Sequence, residues 1–213
     1  MSDELEPLSE RIALRQIELP AETIARLAEY RALLLEWNEK INLTRHTTIE
    51  KFVDRDLVDV LAFAAVLEQN ERVLDVGSGG GVPGIPLAIV RPDLKMHISD
   101  SVGKKSKVLA DIVERMQLPC MVHASAAQEA MGDYRFDSLT IRAVAPLTKL
   151  LTWFDDRWIS IGRLLVLKGP SWLEERKEAR EKGQMKKLDL RKLSSYQIEP
   201  EYGESVLLEI RYK

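Results

Sequence analysis

The sequence predicts an α/β fold in which a mostly parallel sheet of seven strands is covered by helices on both faces. Two observations support this prediction. From residue 69 to residue 213, short apolar runs alternate with helical segments, as in strands joined by crossover helices. Residues 1–68 show only the three-to-four-residue apolar spacing of amphipathic helices. We therefore predict an N-terminal helical extension over residues 1–68 and a sheet domain over residues 69–213.

The extension is predicted to contain three helices. Leu8 and Leu14 lie on the apolar face of the first helix, and Pro20 marks the boundary with the second. Thr47 and Glu50 have the spacing of a capping box, which predicts the start of a third helix.

Five apolar runs in the sheet domain predict parallel strands. They cover residues 72–76, 95–99, 120–123, 136–141 and 163–167. Helices are predicted between them over residues 85–90, 103–117 and 146–158. Ser171 and Glu174 have capping-box spacing at the start of a charged helix. Residues 196–199 and 205–212 then predict an antiparallel pair, which adds one antiparallel strand near the edge of the sheet.

Composition narrows the possible classes of function. Cys120 is the single cysteine, which excludes an intramolecular disulfide and a multi-cysteine zinc site. His46, His97 and His123 lack metal-ligand spacing, so no metal is expected. The net charge of -3 means that any binding of nucleic acid has to use a local basic surface. The N-terminus lacks the blocks of a signal peptide, so we expect a cytoplasmic protein without membrane contact.

A glycine-rich turn follows the first predicted strand. Residues 79–84 satisfy the pattern G-x-G-x-x-G, which allows a nicotinamide dinucleotide as the ligand. A carboxylate at Asp75, beside the turn, would repel a pyrophosphate and favour a cationic ligand such as S-adenosylmethionine. Asp100 ends the second strand, where it would accept hydrogen bonds from the ribose of either ligand. An adenosine-containing ligand is therefore predicted, and Asp75 favours S-adenosylmethionine.

Several separated motifs together resemble one family. They are Trp37-Asn38-x-x-Ile41-Asn42-Leu43-Thr44, Asp75-Val76-Gly77-Ser78-Gly79-Gly80-Gly81-Val82-Pro83-Gly84-Ile85-Pro86, Arg91-Pro92-Asp93, Asp100-Ser101, Arg142-Ala143-x-Ala145-x-Leu147 and Leu167-Lys168-Gly169. The sequence resembles the bacterial ribosomal RNA small-subunit methyltransferase G family, also called glucose-inhibited division protein B. This resemblance implies a Rossmann-like class I methyltransferase that moves a methyl group from S-adenosylmethionine to N7 of a guanosine in 16S ribosomal RNA. The expected partner is 16S ribosomal RNA or the small ribosomal subunit, and we expect a monomer.

The resemblance, with the usual methyltransferase pattern, also implies the cofactor contacts. These are Asp75, Gly77, Ser78, Gly79, Gly81, Val82, Asp100, Ser101, Ala126, Ala127 and Arg142. Three positions differ from the family, namely Asp56, Val60 and Ala127. Asp56-Leu57-Val58-Asp59-Val60 stands where the family has His-x-x-Asp-Ser, and Ala127 replaces a glutamate that is usual near the adenine. These differences leave open two alternatives: a methyltransferase with another RNA or small-molecule acceptor, and a non-catalytic member that binds ribosomal particles.

The proposed chemistry requires few catalytic groups. Guanine N7 has an in-plane lone pair and no proton, so methyl transfer to it depends on alignment and no general base is expected. Arg142 is the predicted catalytic residue, in an orienting role, because a guanidinium binds a phosphate or guanine O6. Lys104, Lys105 and Lys168 follow strands and are predicted to bind the RNA substrate. Residues 174–192 add eight Lys or Arg against five Asp or Glu, which predicts either a solvated helix face or an RNA contact.

Overall fold

A computed structural model describes residues 2–197 and 203–213 of the chain. Its helices are α1 (Ser2–Leu14), α2 (Ala21–Asn38), α3 (Ile49–Lys51), α4 (Val58–Ala64), α5 (Gly84–Val90), α6 (Gly103–Arg115), α7 (Ala127–Asp133), α8 (Leu147–Trp153) and α9 (Trp172–Glu181). Its strands are β1 (Arg72–Val76), β2 (Lys95–Ser99), β3 (Met121–His123), β4 (Phe136–Arg142), β5 (Ile161–Lys168), β6 (Leu188–Tyr196) and β7 (Ser205–Tyr212). A π-helical turn, Phe52–Leu57, joins α3 to α4, and a 3-10 turn, Trp158–Ser160, precedes β5.

Within these described residues, seven strands form one sheet in the order β3-β2-β1-β4-β5-β7-β6. Strands β1 to β5 are parallel, and β7 lies antiparallel between β5 and β6. The prediction of a mostly parallel seven-stranded sheet with an antiparallel strand near one edge is therefore confirmed. The strand order reverses between β1 and β4, and the loops after the carboxyl ends of these strands form the usual ligand-binding crevice of such sheets. We call this side of the sheet the carboxyl edge and the opposite side the amino edge.

Helices cover both faces of the sheet, because its central strands are apolar on both sides. One face packs against α7, α8 and α9, and the other packs against α4 and α5. The helical extension then covers α5 and α6, and Leu27 and Tyr30 of α2 share a buried cluster with Ile85 and Ile112. The predicted domain boundary at residue 69 therefore separates residues that share one buried core. This boundary stays a prediction.

The extension differs from the prediction in two details. Thr48, and not Thr47, caps the third helix, and its hydroxyl accepts a hydrogen bond from the backbone N–H of Lys51 at 3.3 Å. Leu14 was placed on the buried face by its spacing, but it is 70% exposed because it is the last residue of α1. In the part of the chain that the structure describes, no helix is long and apolar enough to cross a membrane.

The C-terminal half contains larger differences. Strand β6 covers Leu188–Tyr196, most of which the sequence analysis assigned to the charged run. This edge strand has one face in solvent, so its charged residues hide the strand pattern. Of the strand predicted over residues 196–199, Tyr196 ends β6, and residues 198–199 lie outside the described residues. The helix predicted over residues 146–158 ends at Trp153, and the side chain of Ser171 makes no capping hydrogen bond.

Candidate functional site

The glycine loop connects β1 to α5 at the carboxyl edge. Gly77, Gly79 and Gly81 have φ values of 65°, 61° and 106°, which residues with a Cβ rarely adopt. The backbone N–H of Ser78 donates to the carbonyl of Ser99 at 3.0 Å, which ties the loop to the end of β2. The sequence needs glycine at these positions because the loop turns through left-handed backbone conformations.

Asp75 lies beneath this loop and is completely buried. Its carboxylate accepts hydrogen bonds from the backbone N–H of Gly84 at 3.0 Å, from Thr140 Oγ1 at 3.1 Å and from the hydroxyl of Ser78. Burial raises the pKa of Asp75 to about 6, although these hydrogen bonds oppose the shift. From the sequence, Asp75 is expected to act on the ligand as a charge beside the loop. The structure instead places it under the loop, where it fixes the loop conformation.

Asp100 fixes the other side of the loop. Its Oδ2 accepts a hydrogen bond from the backbone N–H of Gly79 at 2.9 Å, and its Oδ1 accepts one from Val102 at 2.8 Å. The residue is 6% exposed and follows β2 directly, as predicted. Each carboxylate oxygen retains a further lone pair for a ligand hydroxyl.

A cavity of about 260 Å³ opens between the loop and the ends of β2 and β4, and we call it the glycine-loop cavity. The predicted cofactor residues on its wall are Gly77, Asp100, Ser101, Ala126 and Ala127. Val144 and Trp153 also line it, and the sequence analysis missed both. No sequence pattern near Trp153 predicts this position, because the packing of α8 on the sheet is what places its side chain at the cavity.

The other predicted loop residues shape the cavity from outside its wall. They are Asp75, Ser78, Gly79, Gly81 and Val82, none of which contributes to the lining of the glycine-loop cavity. The loop is also held from the helical extension, where the buried hydroxyl of Tyr30 donates to the carbonyl of Gly80 at 2.9 Å. No local pattern in the sequence indicates this contact of Tyr30, because its partner lies 50 residues away in the chain.

Arg142 lies at the end of β4 and lines a second cavity of about 360 Å³, which we call the Arg142 cavity. Its Nη2 lies 2.7 Å from Asp56 Oδ1, and its Nη1 lies 2.9 Å from Asp59 Oδ2. From the sequence, Asp56 is noted as a departure from the family and Asp59 as the aspartate that the family also has, but their contact with Arg142 is not predicted. The cavity wall also includes His46, Arg55, Lys168 and Glu204.

Two further side chains complete the cluster around Arg142. His46 Nδ1 lies 2.8 Å from Asp56 Oδ1, and the hydroxyl of Tyr196 donates to Asp59 Oδ1 at 2.6 Å. Burial opposes the charge on Arg142, but the two aspartates outweigh this effect and raise its pKa. The pKa of Asp59 is raised by burial, although Arg142 and Tyr196 oppose that shift. The guanidinium therefore stays protonated and is held in one orientation.

The predicted substrate-binding lysines separate in the structure. Lys168 lines the Arg142 cavity, where its Nζ donates to the carbonyl of Ala145 at 2.7 Å and pairs with Glu175 at 2.8 Å. Lys104 and Lys105 lie in the first turn of α6, on the same edge of the sheet, but they line neither cavity. Within residues 2–197 and 203–213, no cluster of three or more His, Cys, Asp or Glu side chains is arranged to hold a metal.

Ala143 and Val144 connect the two cavities. Ala143 lines the Arg142 cavity, and Val144 lines the glycine-loop cavity. Ala143 has a φ of 54°, a conformation that is uncommon for a residue with a Cβ and is often found at functional sites. The backbone therefore turns sharply between the two cavities.

Known proteins with a similar sequence share one name. A family model described as rRNA small subunit methyltransferase G matches residues 23–201. A ribosomal RNA small subunit methyltransferase G from Rhodopirellula baltica is 45% identical over 182 residues, which cover 84% of this chain and 79% of the relative. The protein of the same name from Halorhodospira halophila is 38% identical over 168 residues, which cover 79% of this chain and 80% of the relative.

Solved structures with much lower sequence identity share the fold. An O-methyltransferase from Bacillus cereus, solved in complex with SAH, has a TM-score of 0.59 at 13% identity, and the match covers 100% of both chains. A mutant of MtNAS in complex with S-adenosylmethionine has a TM-score of 0.59 at 14% identity, covering 91% of this chain and 78% of the other. The predicted Rossmann-like methyltransferase fold is thus confirmed.

The family model matches most of the residues that build both cavities. The match of residues 23–201 includes most of α2, the glycine loop, Asp100 and Arg142. The identity to the Rhodopirellula baltica relative extends over most of both chains. This chain therefore belongs to the rRNA small subunit methyltransferase G family.

Proposed function

We propose that this protein transfers the methyl group of S-adenosylmethionine to N7 of a guanosine in 16S ribosomal RNA. The observation that supports this most strongly is the pair of cavities on either side of Ala143 and Val144. One cavity has the short side chains and the carboxylate that suit an adenosine, and the other has cations that suit RNA. Ala143 lines one cavity and Val144 lines the other, so a bound cofactor and a bound guanosine would lie next to each other, as direct methyl transfer requires.

The residues of the glycine-loop cavity fit S-adenosylmethionine. Asp100 would accept hydrogen bonds from the ribose hydroxyls, while Ala126, Ala127, Val144 and Trp153 line a wall with the apolar character that an adenine requires. The loop from Gly77 to Val82, fixed from below by Asp75 and Ser78, would face the methionine part. When bound, the cofactor supplies an electrophilic methyl group on sulfur.

Arg142 would orient the guanosine in the second cavity. Asp56 and Asp59 each bind one terminal nitrogen of its guanidinium, and other N–H donors are left for guanine O6 or a phosphate oxygen. Because the two carboxylates prevent rotation of the guanidinium, the base would be aligned without a proton transfer. Lys168 adds a cation on the same wall, and Lys104 and Lys105 would contact RNA outside it.

A labelling experiment tests this function. Purified protein is incubated with tritiated S-adenosylmethionine and 30S particles from a bacterial strain that lacks the native enzyme. We expect label in 16S ribosomal RNA, and mass spectrometry should place it on N7 of one guanosine. Absence of label from both the particles and free 16S RNA would reject the proposal. We expect a cytoplasmic monomer with this RNA or the small subunit as its partner.

A second candidate function has a different acceptor. Asp56 occupies the position where the family has a histidine, and its carboxylate now binds Arg142 at 2.7 Å. This contact changes the charge around the residue that orients the acceptor, which would suit another RNA or a small molecule. Label found on a molecule other than 16S ribosomal RNA would support this candidate. A non-catalytic particle-binding member would show neither label nor calorimetric binding of S-adenosylmethionine.

A further inference from the structure

A third cavity lies at the amino edge of the sheet, opposite the two candidate sites. It has a volume of about 460 Å³, and we call it the amino-edge cavity. Trp158 precedes β5, Tyr212 ends β7, and Lys186 and Lys187 precede β6, so all of them lie where the parallel strands begin. None of these residues has a role in the proposed methyl transfer.

The wall of this cavity is basic. Lys182, Lys186 and Lys187 line it, against one acidic residue, Asp155, among the described residues. Lys182 is paired with Glu178 at 2.6 Å, but in the described ranges no carboxylate lies within 4.0 Å of the Nζ of Lys186 or Lys187. These lysines belong to the charged run of residues 174–192, for which the sequence analysis left an RNA contact open. Their positive charge is therefore available to an anionic ligand.

Two aromatic rings lie beside these lysines. The ring centroids of Trp158 and Tyr212 are 6.1 Å apart, at an interplanar angle of 39°. Tyr212 is 49% exposed, and Ile159, next in the chain after Trp158, is 78% exposed. The ring of Tyr212 is therefore accessible to a ligand. An exposed ring next to unpaired lysines is the combination that binds a nucleotide, because the base stacks on the ring and the phosphates bind the cations.

We propose that the amino-edge cavity is a second RNA-binding site, in which a base stacks on Tyr212 and flanking phosphates contact Lys186 and Lys187. The inference rests on the proposed function, since it assumes an RNA substrate. The eight residues of β5 separate this cavity from the carboxyl edge, which corresponds to roughly 25 Å. The site would therefore contact a part of the folded RNA distant from the target guanosine. An acidic protein segment would use the lysines but would leave the exposed ring without a stacking partner.

Binding of purified variants to full-length 16S RNA tests this site. We expect Lys186→Ala/Lys187→Ala to weaken binding about tenfold and to reduce the slope of log affinity against log salt by about 1.5, as two lost phosphate contacts require. Tyr212→Ala should weaken binding about fivefold or more through the lost stacking. A matched control, Lys51→Ala/Lys95→Ala, removes two exposed lysines that line none of the three cavities and should bind like the wild type. Calorimetric binding of S-adenosylmethionine should be unchanged in all variants.

The outcomes separate this inference from the proposed function. The second site alone would be overturned if the cavity variants bind 16S RNA with the affinity and salt slope of the wild type while the wild type methylates 16S RNA. An equal loss in the control variant would also overturn it, because bulk charge would then explain the effect. If the cavity variants bind 30S particles more weakly but bind free 16S RNA like the wild type, the cavity would instead contact an acidic protein, and the RNA site would be rejected. Failure of the wild type to methylate or bind any ribosomal RNA would reject the function itself.

Discussion

The glycine-loop cavity and the Arg142 cavity lie on either side of Ala143 and Val144, but the chain builds them in different ways. The first is formed mainly by the backbone of the glycine loop, which the carboxylates of Asp75 and Asp100 hold in place. Asp100 accepts a hydrogen bond from the N–H of Gly79, which is only 21 residues away in the chain. The second depends on side-chain ion pairs across the fold, and Arg142 and Asp59 are 83 residues apart. The carboxylates that hold the glycine loop therefore come from β1 and from the end of β2, which are close in the chain, whereas the Arg142 cluster exists only when the extension packs on the sheet.

This difference has energetic consequences. In the Arg142 cluster the side chains of Asp56 and Asp59 are only 1% and 7% exposed, so each carboxylate has lost most of its hydration. A buried ion pair adds little net stability, but removing one partner leaves an uncompensated charge. Changes in the Arg142 cluster should therefore reduce both stability and methyl transfer. Changes at the rim of the glycine-loop cavity should mainly reduce cofactor affinity.

The largest effect is expected for Arg142→Ala. This substitution removes the guanidinium that both buried carboxylates share, so we expect the free energy of unfolding to fall by about 3–5 kcal/mol. Methyl transfer should fall at least about 100-fold, because the residue that orients the acceptor is missing. Urea unfolding and the labelling of 16S RNA measure the two effects.

A buried arginine at the amino edge provides the matched control. Arg163 pairs with Glu71 at 2.7 Å and with Glu209 at 3.1 Å, and its side chain is 8% exposed against 18% for Arg142. Arg163→Ala should therefore lose similar stability but keep its specific activity at a temperature where it is folded. If either alanine variant fails to fold, Arg142→Lys and Arg163→Lys keep a charge and give the same comparison. Equal loss of activity at both sites would contradict an orienting role for Arg142.

The second largest effect is expected for Asp100→Ala. Two backbone N–H groups would lose their acceptor, and the ribose would lose a carboxylate. Hydrogen bonds to a charged group contribute about 1.5–3 kcal/mol each, so the affinity for S-adenosylmethionine should fall about 30-fold or more by calorimetry. Asp137 also accepts a backbone N–H, from Arg72 at 2.8 Å, but at the amino edge. Asp137→Ala should bind the cofactor like the wild type, and a similar loss in both variants would contradict a cofactor role for Asp100.

The same contrast explains what could be predicted from the sequence. Strands β1 and β2 were predicted with their exact bounds, and Asp100 was placed correctly, because strand, turn and acidic residue are adjacent in the chain. The contact of Arg142 with Asp56 and Asp59 was missed, because a spacing of more than 80 residues leaves no local pattern. Strand β6 was missed for another reason, since the solvent-facing residues of an edge strand resemble a charged helix.

The pH dependence of stability tests the role of Asp75 in the local site. Its pKa is raised from 3.8 to about 6 by burial, so its contribution to stability is fully present below pH 3.8 and is lost as the pH rises through 6. Asp75→Asn removes this titration. Between pH 5 and pH 7, the stability of the wild type relative to Asp75→Asn should fall by about 1 kcal/mol. Urea unfolding at both pH values measures it, and parallel pH profiles would show that Asp75 does not titrate in this range.

The smallest effect is expected for His46→Ala, at the rim of the Arg142 cluster. His46 Nδ1 lies 2.8 Å from Asp56 Oδ1, but its side chain is 30% exposed and Arg142 binds the same oxygen. We therefore expect a stability loss of no more than about 1 kcal/mol and unchanged cofactor affinity.

Methyl transfer should fall only about threefold in His46→Ala, because the guanidinium is still held by both aspartates, and rates at saturating cofactor measure this. His46→Asn offers the matched variant, since its amide can still donate to Asp56, and it should recover most of the lost rate. A loss in His46→Ala as large as that in Arg142→Ala would contradict this order of effects. The orientation of Asp56 would then depend on the imidazole, and the extension would control the acceptor site through His46.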